Sequence, residues 1–123
     1  MRLQESGEMY LETILVLSRE SSHVRSIDIC EYMGFSKPSV SRAVGLLKSG
    51  GYISVDNEGF ITLTEMGLAE ANKIYERHKM LTAFLAAIGV PEEIADNDAC
   101  KIEHVISNET FVAMREHINK LNK

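Results

Sequence analysis

The stretch from Ser26 to Leu63 constrains the fold most. Ser26 reads as an N-cap for a short helix, Ile27 to Met33. Gly34 stops that helix, because glycine takes the left-handed conformation without a Cβ penalty. Ser36 caps the next helix, and Pro38 sits in its first turn, where a missing N–H costs nothing. This helix runs to about Ser49 and stops at Gly50-Gly51. Two β-prone runs follow, Tyr52-Ile53-Ser54-Val55 and Phe60-Ile61-Thr62-Leu63, joined by Asp56-Asn57-Glu58-Gly59. β-formers on both sides of a turn-rich tetrapeptide ending in glycine predict a hairpin. Helix, glycine turn, capped helix and hairpin in this order are the pattern of a winged helix-turn-helix.

The flanks are helical. Residues 5 to 20 carry Tyr10, Ile14 and Leu17 on one stripe. Thr64 caps a long helix, about 65 to 88, on which Ile74, His78, Leu81, Leu85 and Ile88 share a face. Gly89-Val90-Pro91 breaks it, and a helix over about 92 to 106 follows. Ser107 or Asn108 caps the last helix, striped by Phe111, Met114, Ile118 and Leu121. The expected architecture is mostly α. A winged helix-turn-helix domain over 1–64 precedes a three-helix domain over 65–123, which suits a chain of 123 residues.

Composition removes several classes. No window approaches 18 uninterrupted apolar residues, and the first eight residues contain no apolar core of a signal peptide. Two cysteines, Cys30 and Cys100, make no disulfide framework, so a reduced cytoplasmic setting is expected, with no membrane partner. The net charge of −5 argues against an all-round nucleic-acid binder. A local stripe is enough, however, and residues 36 to 48 carry Lys37, Arg42 and Lys48 and no acid.

That stripe is the first candidate site. Val40, Val44 and Leu47 recur at inward spacing, which leaves Ser36, Lys37, Pro38, Ser39, Ser41 and Arg42 near or at the outward N-terminal end. Short hydroxyls and a guanidinium suit phosphates and base edges. Taken alone, the helix reads equally well as a solvated, capped surface helix. The short helix before it and the hairpin after it favour double-stranded DNA.

The second candidate site is Cys100, Glu103 and His104, at i, i+3 and i+4 on one helical face. Sulfur, oxygen and nitrogen donors together suit a divalent transition metal more than calcium or magnesium. Three ligands leave a site open, so others must join. Met9 and Glu12 lie one turn apart on the first helix, and His78 interrupts an apolar stripe. Each has a plainer reading: Met9 and Cys100 as packing, His78 as a hydrogen-bonded core residue, Glu103 as a partner for lysine. Two rival functions remain: a winged-helix regulator sensing a small organic ligand without metal, and a winged-helix protein-interaction module. An enzyme with Cys100 as nucleophile and His104 as base is disfavoured, because no glycine-rich loop or other oxyanion hole is recognisable.

Four stretches carry a family resemblance: Glu8-Met9-Tyr10-Leu11, Ser36-Lys37-Pro38-Ser39-Val40-Ser41, Arg77-His78-Lys79, and Asp98 through Ser107. With these the chain resembles the diphtheria-toxin-repressor (DtxR/MntR) family of iron- or manganese-dependent transcriptional repressors, over essentially its whole length. The resemblance implies that the helical half serves dimerisation and metal binding. It implies a homodimer whose metal, held between the domains, orders it for operator DNA and so controls metal-homeostasis genes. By position, Met9, Cys100, Glu103 and His104 match the ligands of the iron-responsive branch. Glu12 and His78 match ligands of the manganese-responsive branch, which has carboxylates where this chain has Met9 and Cys100. His78 also matches an ancillary-site ligand, with Thr82 and Asp96 at neighbouring ligand positions. The softer donors favour Fe2+ over Mn2+ as the physiological ion. Since the chain ends at Lys123, the resemblance is to the two-domain form lacking the SH3-like domain.

Overall fold

The computed structural model describes residues 5–121. Six helices and one two-stranded sheet run in the order α1 (Glu5–Glu20), α2 (Ser26–Met33), α3 (Lys37–Ser49), β1 (Ile53–Val55), β2 (Ile61–Leu63), α4 (Glu65–Ala87), α5 (Glu92–Ile102) and α6 (Asn108–Leu121). The chain forms two compact units, the first reaching Asn72 and the second starting at Lys73. The division falls inside α4, eight residues beyond the boundary that the sequence suggested. No helix among the described residues is long and apolar enough to cross a membrane.

The first unit is the winged helix-turn-helix. α2 packs on α3, and α1 touches α2, α3 and β2. Ile14, Ile29 and Val40 are fully buried in it, with Leu47, Ile53 and Ile61 nearly so. Gly34 ends α2 at φ +72°, with its N–H donating to the Cys30 carbonyl at 2.9 Å. Burial, and then the Cys30 thiol, push the Tyr10 hydroxyl above its usual range.

One cap differs from expectation. Ser26 is the first residue of α2, and Arg25 is the extended cap. The Asp28 carboxylate, at the third helical position, accepts the Arg25 N–H at 2.9 Å, the reach-back bond of a capping box, and Ser26 is not the cap.

The hairpin pairs Ile53 with Leu63, Ser54 with Thr62 and Val55 with Ile61. Its turn is closed by Asp56, whose Oδ1 accepts the N–H groups of Glu58 and Phe60, each at 2.9 Å. The strands are shorter than the β-prone runs. Tyr52 is drawn into the turn before β1, its N–H donating to the Leu47 carbonyl at 3.0 Å, and Phe60 closes the hairpin turn. β2 also reaches back: the Ile61 N–H donates to the Val24 carbonyl at 2.7 Å, tying the wing to the α1–α2 connection.

The second unit has a core of Met80, Leu81, Ala99, Phe111 and Ile118, with Phe84, Ile102 and Met114 packed against it. The stripes read from the sequence are buried at Ile74, Leu81, Phe111 and Ile118, half-buried at Leu85 and Met114, and fail at their C-terminal ends. Ile88 is 63% exposed and Leu121 60% exposed. α4 stops at Ala87 and α5 at Ile102, four residues short of the expected end. After Ile102 the Val105 and Ile106 N–H groups both donate to its carbonyl at 3.0 Å, which turns the chain out of the helix. Ser107 is the cap of α6, accepting the Thr110 N–H at 3.1 Å.

Where the hairpin meets α4, the packing leaves no room for a side chain. The Thr64 hydroxyl donates to the Gly51 carbonyl at 2.7 Å and accepts the Gly67 N–H at 3.1 Å. The Thr64 N–H donates to the Tyr52 carbonyl at 3.0 Å. A Cβ on Gly67 would overlap that same carbonyl. Gly67→Ala is therefore expected to destabilise the winged unit by about 2–3 kcal/mol despite its better helix propensity. Urea unfolding measures this. An unchanged or raised midpoint would show that α4 does not pack this closely.

Candidate metal centre and DNA-reading helix

α3 begins on a well-made cap. Ser36 is extended at φ −70° and ψ 153°, and its Oγ accepts the Ser39 N–H at 3.4 Å and donates to the Ser39 Oγ at 2.9 Å. Pro38 occupies the first turn. Such a cap stabilises a helix by about 1 kcal/mol. Val40, Val44 and Leu47 are buried, as their spacing requires. Ser36, Lys37, Pro38, Ser39, Ser41 and Arg42 are all exposed. The surface offers hydroxyls, two cations and the positive end of a helix dipole, with no acid from Ser36 to Lys48.

The other candidate residues lie on α1 and in the second unit. α1 carries Met9 and Glu12, both half-buried. The Thr13 hydroxyl donates to the Met9 carbonyl at 2.9 Å. The second unit brings His78, Glu103 and His104 together. Glu103 is 1% exposed, yet it is a carboxylate. His78 Nδ1 lies 2.9 Å from Glu103 Oε2, and His104 Nε2 lies 3.2 Å from Glu103 Oε1. On its other side, His78 Nε2 meets Asp96 Oδ1 at 2.7 Å. Cys100 is half-buried one turn back along α5, its thiol outside any disulfide.

The expectation that Cys100, Glu103 and His104 share a helix is corrected in part. Cys100 is helical; Glu103 is the residue at which α5 ends, and His104 lies in the turn beyond. Their relation survives because Glu103 keeps helical angles, φ −57° and ψ −25°, and its N–H still donates to the Ala99 carbonyl at 2.9 Å.

The donor set fits a divalent ion. A carboxylate out of water needs a positive partner to offset its desolvation. A neutral imidazole carries one N–H, so His78 can donate to one of its two carboxylates and not both. The second contact becomes favourable with an added cation, either a proton or a metal ion. Two imidazoles and a carboxylate, with a thiol one turn away, are donors that suit a first-row transition ion.

Three residues here had no signal in the spacing of donors. Arg77 Nη1 donates to the carbonyls of Glu103 at 3.2 Å and Ile106 at 3.3 Å. Asp96, reached only through the resemblance, pairs with His78 across 18 residues. Thr82, also named through the resemblance, turns its hydroxyl to the His78 carbonyl at 2.9 Å.

Residues 2–59 match the model of the iron dependent repressor N-terminal DNA binding domain, and residues 64–123 that of the iron dependent repressor metal binding and dimerisation domain. An HTH-type transcriptional regulator of Methanocaldococcus jannaschii is 30% identical over 120 residues, covering 96% of each chain. The transcriptional regulator MntR of Escherichia coli is 36% identical over 106 residues, covering 86% of this chain and 68% of its own. The crystal structure of T. acidophilum IdeR superposes with a TM-score of 0.82 at 26% identity, over 97% of this chain and 56% of that one. The chain thus spans little more than half the length of that solved relative. These matches tile the winged unit and the helical unit in the order described, and the chain belongs to the iron-dependent repressor family, the DtxR/MntR group.

Proposed function

We propose that this protein is a metal-dependent transcriptional repressor, in which a divalent transition ion on the second unit's imidazoles and carboxylate activates binding of operator DNA by α3. The observation that carries this reading is the buried Glu103 carboxylate flanked by His78 and His104, in a chain whose α3 exposes an acid-free basic end. The proposed ligands are Met9, Glu12, His78, Cys100, Glu103 and His104. Met9 and Glu12 enter through the family resemblance of the first helix. When bound, the ion supplies fixed positive charge and a demand for defined ligand directions. Glu103 and His104 meet that demand from a single turn, so their relative direction is set by the backbone. Lys37 and Arg42 contact phosphates or guanine, and the α3 hydroxyls meet base edges.

The same reading includes a homodimer, since one recognition helix reads too few bases for useful selectivity. Its candidate contacts are Phe111, Met114, Ile118 and Leu121 with Phe84, Leu85 and Ile88, of which Ile88 and Leu121 are exposed. It also includes a cytoplasmic site of action, a DNA-binding region over 1–64, a dimerisation and metal-binding region over 65–123, and regulation rather than catalysis. Fe2+ is the proposed physiological ion in preference to Mn2+, because Met9 and Cys100 are softer donors than carboxylates.

The test uses DNA selected by the metal-loaded chain from a random pool. Fluorescence anisotropy follows its binding under anaerobic, reducing conditions. Metal is expected to strengthen binding about 5- to 150-fold, the usual range of allosteric coupling. Equal affinity with metal and with chelator would overturn the reading.

Glu103→Gln and His104→Ala are each expected to remove the metal response while leaving basal DNA binding intact, because each deletes one donor. Retention of the response in either would remove that residue from the ligand set. Lys37→Ala and Arg42→Ala are expected to weaken DNA binding by about 1–3 kcal/mol each without changing the melting temperature. A variant that binds as the parent does is no contact. Finally, Met9→Asp combined with Cys100→Glu is expected to raise activation by Mn(II) relative to Fe(II). An unchanged ratio would show that these two donors do not set the choice of metal.

A further inference from the structure

α5 ends in an unusual place for a helix end, among packed side chains and at a buried acid. The last carbonyls of a helix lack intrahelical partners and carry its negative dipole end. Glu103 is buried beside them. The chain answers this with a side chain from another helix. Arg77, on α4, donates from one nitrogen to the Glu103 carbonyl at 3.2 Å and to the Ile106 carbonyl at 3.3 Å. The two acceptors bracket the turn that carries Glu103 and His104. The guanidinium also lies 5.3 Å from the centre of the Phe111 ring on α6. Its contacts thus include the two carbonyls of the turn and the Phe111 ring of the α6 core, while the next residue, His78, meets the Glu103 carboxylate.

The geometry points to Arg77 as a positioning residue: it holds the Glu103–Ile106 turn in the conformation that presents Glu103 and His104 to a metal ion, without itself being a ligand. This inference rests on the metal reading above. A guanidinium suits the task because one nitrogen carries two N–H groups in a rigid plane, matching two carbonyls at once. A lysine has the charge without the fork. A glutamine keeps a planar NH2 with two N–H donors, but it is shorter and carries no charge. Groups that orient ligands in this way typically change metal affinity about 10- to 100-fold when removed.

The test compares the intact chain with Arg77→Lys and Arg77→Gln, both checked for folding by circular dichroism. Hydrogen exchange of the metal-free proteins is read first, at the Val105 and Ile106 amides, which close the turn onto Ile102. In Arg77→Gln these two amides are expected to exchange at least about tenfold faster while those of α4 and α6 stay protected. Cobalt(II) titration is read second, by its visible absorption. Apparent affinity is expected to fall in the order parent, Arg77→Lys, Arg77→Gln, with the same saturated spectrum throughout, because the ligands are unchanged and only their readiness is lost.

Unchanged exchange in the turn, or parental cobalt affinity in folded Arg77→Gln, overturns the inference. A saturated spectrum that differs from the parent's overturns it too, since Arg77 would then shape the ligand set itself. If Arg77→Gln does not fold, Arg77→Lys decides by the same two readings. Local exchange that rises as expected in a parent chain that binds no cobalt contradicts the metal reading and leaves the structural role of Arg77 intact.

Discussion

A carboxylate taken out of water is expensive, and Glu103 is almost completely buried. Much of the second unit's local structure answers that one cost. His78 and His104 bring ring nitrogens to its two oxygens. Asp96 engages the other side of His78. Arg77 meets the backbone of Glu103 and of the turn that follows it. Replacing such a cluster with packed hydrocarbon would commonly be neutral or stabilising. Its presence is better explained by a ligand that the cluster serves than by stability alone.

The winged unit solves a different problem. It must keep one helix face bare while the opposite face stays packed. Val40, Val44 and Leu47 anchor α3 from beneath, and its Ser36 cap sets where the helix starts. The wing is tied down by the Ile61–Val24 backbone bond and by the close approach of α4 to Tyr52 at Gly67. The hydroxyls and cations at the start of α3 are exposed, outside the packed face of Val40, Val44 and Leu47.

The sequence made elements with local causes readable. Gly34 and Ser36 bracket the turn of the helix-turn-helix because each acts within a few residues of itself, and both do so in the structure. The hairpin followed from Asp56 and Gly59 in the same way. What the sequence misplaced depended on distant partners. α5 stops at Ile102 where two N–H groups share one carbonyl and an arginine 26 residues upstream takes the next. Apolar periodicity alone carries no trace of that. Arg77 entered only within the Arg77-His78-Lys79 stretch of the resemblance, and Ser26, read as a cap, is the first residue inside its helix. Among the metal candidates, the triplet at 100, 103 and 104 was visible because its spacing is local. The partnership of His78 with Glu103 spans 25 residues and became visible only once α4 and α5 were packed.

The central claim is that His78, Glu103 and His104 form the core of a metal site. X-ray absorption by the intact chain loaded with one equivalent of cobalt(II) tests it most directly, since outer-shell scattering from imidazole rings is distinct from that of water. The account predicts imidazole nitrogens together with carboxylate oxygen around the ion, and loss of part of the imidazole signal in His104→Ala. A shell of oxygens alone, unchanged by that substitution, would contradict it.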